Sequence, residues 1–287
     1  MFGKRYDGRR IRTMEPIPRM MPYLMKTRTD SQNFFNDEFY CRPLDEYIRK
    51  MQEDSRDGKM TYMKILIAAM VRLIALFPGL NRFVMNGRIY ARNSITVSFV
   101  VQKSLRDDSA ETTVKLRFDG TENIFQISRA IDEAIASAAY TGSNTETDAL
   151  ASTLDKIPGF LCKWAINFLW FLDRHDLMPK KVIEASPFHT SFFITNLKSL
   201  GINYIYHHVY EFGTTGIFLA LGKEKERVVP SISQPYEIQH VSTLGVVTDE
   251  RFCDGLYFAR VMRQLKRILR DPSVLETGLD RIVEDIP

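Results

Sequence analysis

The three cysteines of this 287-residue chain are the first side chains to consider for nucleophilic, redox or metal chemistry. Cys41, Cys162 and Cys253 lie far apart, with no Cys-x-x-Cys pair and no clustered histidines. Zinc sites and disulfide frameworks need close or even-numbered ligands, so we predict neither. We therefore expect no metal, a reducing cytoplasmic location, and a packing role for Cys253 rather than a nucleophilic one.

The histidines, as the usual general bases near neutral pH, are the second group of candidates. His207 and His208 are adjacent in a segment with the composition of a β-strand, where alternation turns only one of two neighbouring side chains inward. His189 suits a hydrogen-bonded turn, His175 the end of a helix, and His240 a structural position in a strand.

A run of charged residues near the C-terminus is the third group, Thr248-Asp249-Glu250-Arg251-Phe252-Cys253-Asp254-Gly255. Glu250 lies at its centre, and an amphipathic helix is predicted directly after it, over residues 255–270. Which parts of the protein this run can contact depends on the helices and strands that surround it.

Hydrophobic periodicity and Gly or Pro residues predict those elements in the first half of the chain. Thr61 is a predicted N-cap for a long helix with an apolar stripe, and Asn86-Gly87 predicts a hairpin turn. Helices are expected at 19–28, 43–52, 61–75 and 122–139, and strands at 9–13, 32–41, 82–84, 88–91, 95–101 and 112–118.

The second half begins with a polar loop, expected at 140–149, and an aromatic-rich helix at 160–175. Four strands follow at 190–195, 204–210, 216–221 and 236–247, and then helices at 255–270 and 273–283. No internal repeat or linker is evident in the sequence. We predict one α/β domain over residues 1–287, an α+β two-layer sandwich with a mixed sheet and helices packed on it.

Three stretches, in this order, resemble the acyltransferase core of 2-oxoacid dehydrogenase complexes and its relative chloramphenicol acetyltransferase. The predicted helix at 61–75 is followed by Phe77-Pro78-Gly79-Leu80-Asn81, similar to the Pro-x-Leu-Asn ending of the family. Residues 193–197 with Gly201-Ile202 resemble Phe-Thr-Ile-Ser-Asn-Leu-Gly, and residues 249–255 resemble Asp-His-Arg-x-x-Asp-Gly. The resemblance spans roughly residues 9–276 and implies a chloramphenicol acetyltransferase-like fold.

The resemblance implies a homotrimer whose active sites lie in channels between subunits. In the family, a base from one subunit deprotonates the thiol of coenzyme A or dihydrolipoamide, and a hydroxyl from its neighbour stabilises the oxyanion. By position, Thr195 would supply that hydroxyl, and Asp254 would be a structural carboxylate paired with Arg19. The same comparison implies a substrate-lining role for Asn196, His207 and His208.

The chain departs from the family pattern in three respects. Glu250 stands where the family has its catalytic histidine, and Lys198 stands where a glycine is expected. The sequence also shows no lipoyl or subunit-binding domain and no lipoyl attachment site, so we expect a free-standing protein.

The replacement of histidine by glutamate changes the energetics of thiol deprotonation. A histidine has a pKa near 6.5, about 2 units below that of a thiol near 8.5, so transfer of the thiol proton to it costs roughly 3 kcal/mol. A glutamate has a pKa near 4.3, and the same transfer costs roughly 6 kcal/mol. Burial raises the pKa of a carboxyl group, and aromatic residues at 252, 257 and 258 could provide apolar surroundings.

Two functions remain open from the sequence. The first is a CoA-dependent acyltransferase that uses Glu250 and Thr195 to move an acyl group between CoA, or another thioester, and a small acceptor. The second is an inactive trimer that binds a CoA-like or acyl ligand or a protein partner, with Glu250 in a salt bridge.

The charge balance argues against two further classes of partner. The formal net charge is only +4, and its excess lies in the first twelve residues, which favours a solvated edge strand over a polyanion-binding arm. No nucleic acid is therefore expected. The apolar run at 160–172 contains Lys163 and is too short to cross a bilayer, so no membrane is expected either.

Overall fold

A computed structural model describes residues 5–53, 58–102, 111–140, 152, 155–230 and 235–287 of the protein. The helices are α1 (Pro16–Leu24), α2 (Arg42–Glu53), α3 (Tyr62–Leu76), α4 (Ile124–Tyr140), α5 (Gly159–Arg174), α6 (Lys180–Ala185) and α7 (Gly255–Arg270). The strands are β1 (Gly8–Arg10), β2 (Gln32–Tyr40), β3 (Arg82–Met85), β4 (Arg88–Arg92), β5 (Ile95–Gln102), β6 (Glu111–Phe118), β7 (Phe192–Asn196), β8 (Ile217–Val229) and β9 (Glu237–Asp249).

The described strands form two sheets. The larger has the order β2-β9-β8-β7-β5-β6, and the smaller has the order β1-β4-β3. In the larger sheet β7 runs parallel to both of its neighbours, while the remaining pairs are antiparallel. The expected mixed sheet with helices packed on it is therefore confirmed.

Helices cover one face of the larger sheet and bury most of the apolar surface there. The Thr61 side chain accepts a hydrogen bond from the Lys64 amide, so α3 begins where the sequence predicted. Ile65, Leu66 and Leu73 of α3 are fully buried in the core. Twelve of the 15 residues of this helix are buried, which is typical of a helix enclosed by protein.

The opposite face of the sheet is covered by an extended segment, residues 202–210. Tyr204 lies so close to Gly245 of β9 that a Cβ atom on the glycine would be 2.5 Å from the tyrosine ring. Asn36 of β2 donates a hydrogen bond to the Tyr206 hydroxyl at 2.7 Å. In the described part of the chain this segment joins no sheet, so the predicted strand at 204–210 is wrong. Its aromatic composition reflects packing across the face of a sheet rather than pairing along an edge.

The ends of the chain also differ from expectation. The predicted helix at 273–283 is reduced to a 3₁₀ turn, Pro272–Leu275, after which the Val283 amide donates to the Ala75 carbonyl at 2.8 Å. Contact with the core thus replaces helical hydrogen bonds.

The predicted loop at 140–149 lies almost entirely outside the described residues. Among the helices that the structure does describe, none combines the length and the apolarity required to cross a membrane.

Candidate functional site

Glu250 follows the last residue of β9 and is held through its backbone. Its amide donates a hydrogen bond to the Ser31 carbonyl at 2.9 Å. Its side chain is partly exposed, and among the described residues of the chain its carboxylate has neither a hydrogen bond nor an ion pair. The salt bridge expected for an inactive protein is thus not formed with any residue that the structure describes, and both oxygens are free to accept a proton from a ligand.

The residues on either side of Glu250 form a buried ion pair. Arg251 donates to both oxygens of Asp249, from Nε at 2.8 Å and from Nη2 at 2.6 Å. Ser31 donates its hydroxyl to the same carboxylate at 3.0 Å, and Arg28 approaches it at 4.0 Å. Bidentate arginine–carboxylate pairs are strong and geometrically specific, so this cluster fixes the backbone that carries Glu250. The spacing Asp-x-Arg in the sequence was the available signal for this pair, whereas nothing in the sequence indicated Arg28.

Asp254 and Arg19 occupy different places from the paired arrangement that the resemblance implied. The Asp254 side chain accepts a hydrogen bond from the Tyr257 amide at 2.8 Å and so caps α7. Arg19 is exposed on α1 and lines a separate groove. Asp254 and Arg19 form no pair within the described residues of one chain. The arginine from the N-terminal region that approaches the Asp249–Gly255 run is Arg28, at Asp249.

Thr195 lies near the end of β7, on the face of the sheet opposite α3. It is partly buried, and no hydrogen bond to its hydroxyl is found among the described residues. Asn196 accepts a hydrogen bond from the Ser199 amide at 3.3 Å and so supports a 3₁₀ turn. Lys198, which replaces the expected glycine, forms an ion pair with Glu224. The hydroxyl of Thr195 is therefore free to bind a ligand, while its neighbours shape the turn.

The strand register shows that Thr195 and Glu250 cannot act together within one chain. Thr195 pairs with Ala220 of β8, which pairs with Gly245 of β9. Glu250 lies five residues beyond Gly245 along the chain. Two strand spacings across the sheet and five residue steps along the chain, at right angles to each other, place the Cα atoms of Thr195 and Glu250 about 20 Å apart. One chain therefore contains two separate halves of the implied site.

The adjacent histidines have different surroundings. The His207 ring stacks on Phe218 at 4.5 Å, and Phe218 in turn stacks on Phe193, which lies two residues before Thr195 on the same face. His207 Nε2 is buried and has no hydrogen-bond partner in the described part of the protein. Burial lowers the pKa of His207, and the charge of His208 lowers it further. His208 is exposed and contacts Tyr210.

His189 belongs to a separate buried polar cluster. Its Nδ1 lies 2.8 Å from Ser186 Oγ and its Nε2 lies 3.1 Å from Asp173. Burial lowers the pKa of His189. Although burial of Asp173 opposes it, the hydrogen bond to His189 and the charge of Arg5, which pairs with Asp173 at 2.7 Å, lower the pKa of this carboxylate to about 2. The Ser186 side chain is buried, so this Ser–His–Asp arrangement supports the structure rather than a reaction. No group of three possible metal ligands occurs in the described ranges.

Comparison with known proteins defines the class of the fold. No family model matches the chain, and no curated protein sequence matches it. The structure has the fold of 2-oxoacid dehydrogenase acyltransferase catalytic cores and of chloramphenicol acetyltransferase, as the resemblance implied.

Three solved structures illustrate this similarity. The cubic core of the pyruvate dehydrogenase multienzyme complex is 14% identical, with 92% of this chain and 93% of that chain covered and a TM-score of 0.58. A probable dihydrolipoamide acetyltransferase from Listeria monocytogenes is 15% identical, with 90% and 94% covered and a TM-score of 0.57. A chloramphenicol acetyltransferase is 11% identical, with 91% and 99% covered and a TM-score of 0.51. At these identities the likeness establishes the fold alone.

Proposed function

We propose that the protein is a CoA-dependent acyltransferase that works as a homotrimer, with each site formed by Thr195 of one protomer and Glu250 of the next. The observation that carries this proposal is the separation of two polar side chains that have no partner in the described part of the chain, about 20 Å apart on one chain by the strand geometry. A second protomer is the simplest way to bring two such groups together. The fold shared with multienzyme acyltransferase cores supports the same arrangement.

The proposed reaction assigns one task to each residue. Glu250 accepts the proton of the acceptor nucleophile, which attacks the thioester carbonyl of acyl-CoA. The Thr195 hydroxyl donates a hydrogen bond to the resulting oxyanion. When the C–S bond breaks, the acyl group remains on the acceptor, and the CoA sulfur takes the proton back from Glu250. Positioned acid–base groups and oxyanion donors together account for large rate accelerations in acyl transfer.

His207 provides a second possible base on the Thr195 half of the site. Its Nε2 is buried and has no partner among the residues that the structure describes, and a buried polar atom left unsatisfied calls for an explanation such as catalysis or ligand binding. A neutral imidazole beside the acceptor could take the proton that the sequence assigned to Glu250. Variants of the two residues separate these possibilities.

A non-enzymatic role in binding is the alternative, and the exposed face of α5 favours it. Phe160, Trp164 and Phe171 are 74%, 65% and 51% exposed, and they lie on one side of the helix. Exposed apolar patches of this kind mark protein-interaction surfaces. In this alternative the trimer binds an acyl or CoA-like ligand, or a protein partner, without turnover.

A panel of acyl-CoA thioesters, with small thiol, amine and alcohol acceptors, tests the proposal through release of free thiol. We expect turnover in the wild type and steep losses in Thr195→Ala and Glu250→Gln. Loss in His207→Gln with retained activity in Glu250→Gln would transfer the role of base to His207. Ligand binding without turnover in the wild type, with activity gained in Glu250→His, would support the inactive alternative.

A further inference from the structure

A second cavity of the protein is lined by arginines and lies apart from Thr195 and Glu250. This arginine groove encloses about 540 Å³ and is lined by Arg10, Arg12, Arg19 and Arg88. Cavities of this size commonly accept small ligands. The four arginines come from β1, the segment after it, α1 and β4, so the groove exists only in the folded chain.

Regular structure holds the walls of the groove in place. Arg10 lies in β1 and pairs in antiparallel register with Tyr90 of β4, while Arg88 is the first residue of β4. Tyr23 of α1 lies against the hairpin turn, where a Cβ atom on Gly87 would be 2.9 Å from its ring. The backbone positions of Arg10, Arg19 and Arg88 are thus set by regular structure, and the Arg12 amide donates a hydrogen bond to the Pro287 carbonyl at 3.2 Å.

Three of the four arginines of the groove have no acidic partner among the described residues. Within the ranges that the structure describes, Arg10, Arg12 and Arg19 form no ion pair, and no carboxylate lines the cavity. Only Arg88 approaches an acid, Asp176 at 3.6 Å. Like charges held close together repel, and a bound anion would remove that repulsion.

The remaining lining of the groove is apolar and indicates the rest of the ligand. It consists of the side chains Ile11, Met14, Met20, Tyr23 and Ile89, together with Gly87. Guanidinium groups match phosphate oxygens in bidentate geometry better than other side chains do. We propose that the arginine groove binds a phosphate-bearing ligand, with the phosphates on Arg10, Arg12 and Arg19 and an apolar portion against the methionines and Tyr23.

Two sources of such phosphates can be distinguished by experiment. Calorimetry with inorganic pyrophosphate and with ADP tests free phosphorylated ligands, and sedimentation with phosphatidylglycerol vesicles, against phosphatidylcholine vesicles, tests lipid headgroups. Binding in either arm supports the proposal and identifies the source. Binding in neither arm overturns it.

The double variant Arg12→Gln/Arg19→Gln tests whether the groove is responsible. Because both side chains are exposed, we expect it to fold as the wild type does, and we expect affinity to fall about tenfold or more. The matched control Arg260→Gln/Arg263→Gln changes two exposed arginines of α7 and should leave binding unchanged. Equal losses in both double variants would show nonspecific attraction and contradict the proposal.

This site is independent of the proposed acyl transfer. Glu250→Gln is expected to bind pyrophosphate as tightly as the wild type, whatever its turnover. Failure of acyl transfer with retained phosphate binding would therefore reject the proposed function alone. Loss of phosphate binding with retained acyl transfer would reject the arginine groove alone.

Discussion

The two halves of the proposed site differ in how their surroundings are held. The two residues that flank Glu250 belong to a buried cluster, in which Asp249 binds Arg251 and Ser31. Around Thr195, the neighbours on the same face are aromatic and uncharged, with Phe193 and Phe218 stacked at 4.9 Å. One half is held by ion pairs and the other by packing. Among the described residues, the first leaves the Glu250 carboxylate without a partner, and the second leaves the Thr195 hydroxyl and His207 Nε2 without one. That contrast separates residues that hold the site from residues that are available to react.

The largest effect is expected from removing the carboxylate that holds the Glu250 half. Asp249→Ala would leave Arg251 and Arg28 buried without their partner, which costs about 3–5 kcal/mol. Urea unfolding measures this loss. The matched control, Asp254→Ala, removes an exposed helix cap and should cost about 1 kcal/mol. Equal losses in the two variants would contradict the distinction between a buried support and a surface cap.

The next effect concerns the hydroxyl of the packed half. Thr195→Ala should lower kcat by about two to three orders of magnitude, because an oxyanion donor is lost. Thr195→Ser keeps the hydroxyl and should retain most of the activity in the thiol-release assay. The free energy of unfolding should change little in either variant. Normal turnover in Thr195→Ala would remove this residue from the reaction.

A mixed assembly tests whether the two halves come from different protomers. Thr195→Ala and Glu250→Gln chains, carrying different tags and purified through both, should regain about one third of the wild-type activity, since symmetry leaves one intact interface in three. Each parent alone should be nearly inactive. A control assembly, made from wild-type chains and chains with both substitutions, reports the effect of mixing itself. Mixed assemblies no more active than their parents would contradict a shared site.

The smallest effect is expected from the unpaired histidine next to the packed half. Burial lowers the pKa of His207 below its ordinary 6.5, so the unfolded state takes up a proton first and stability falls as the pH drops below 6.5. His207→Phe should remove part of that fall and change stability at pH 7.5 by less than about 1 kcal/mol. Unfolding free energies measured from pH 7.5 to 5.0 provide the check, with His208→Phe as the exposed control. An identical pH dependence in both variants would contradict the assigned burial.

Much of the fold could be predicted because it depends on neighbours in sequence. The Thr61 cap of α3 and the left-handed Asn86-Gly87 turn between β3 and β4 are local features, and both occur where expected. The predicted strand at 204–210 failed because local composition does not distinguish a strand that pairs at an edge from a segment that crosses a face. The arginine near Asp249 could not be foreseen either, since Arg28 reaches it across more than 200 residues.

The sequence alone determined most of the helices and strands in their order and the three stretches that resemble an acyltransferase core, because periodicity and short motifs depend on local chemistry. Only the tertiary structure decided which polar groups are paired and which are free. It places Thr195 far from Glu250 and Asp254 apart from Arg19, and it brings four arginines together around one groove. Pairing depends on distances between segments remote in sequence, and those distances exist only after the sheets have formed.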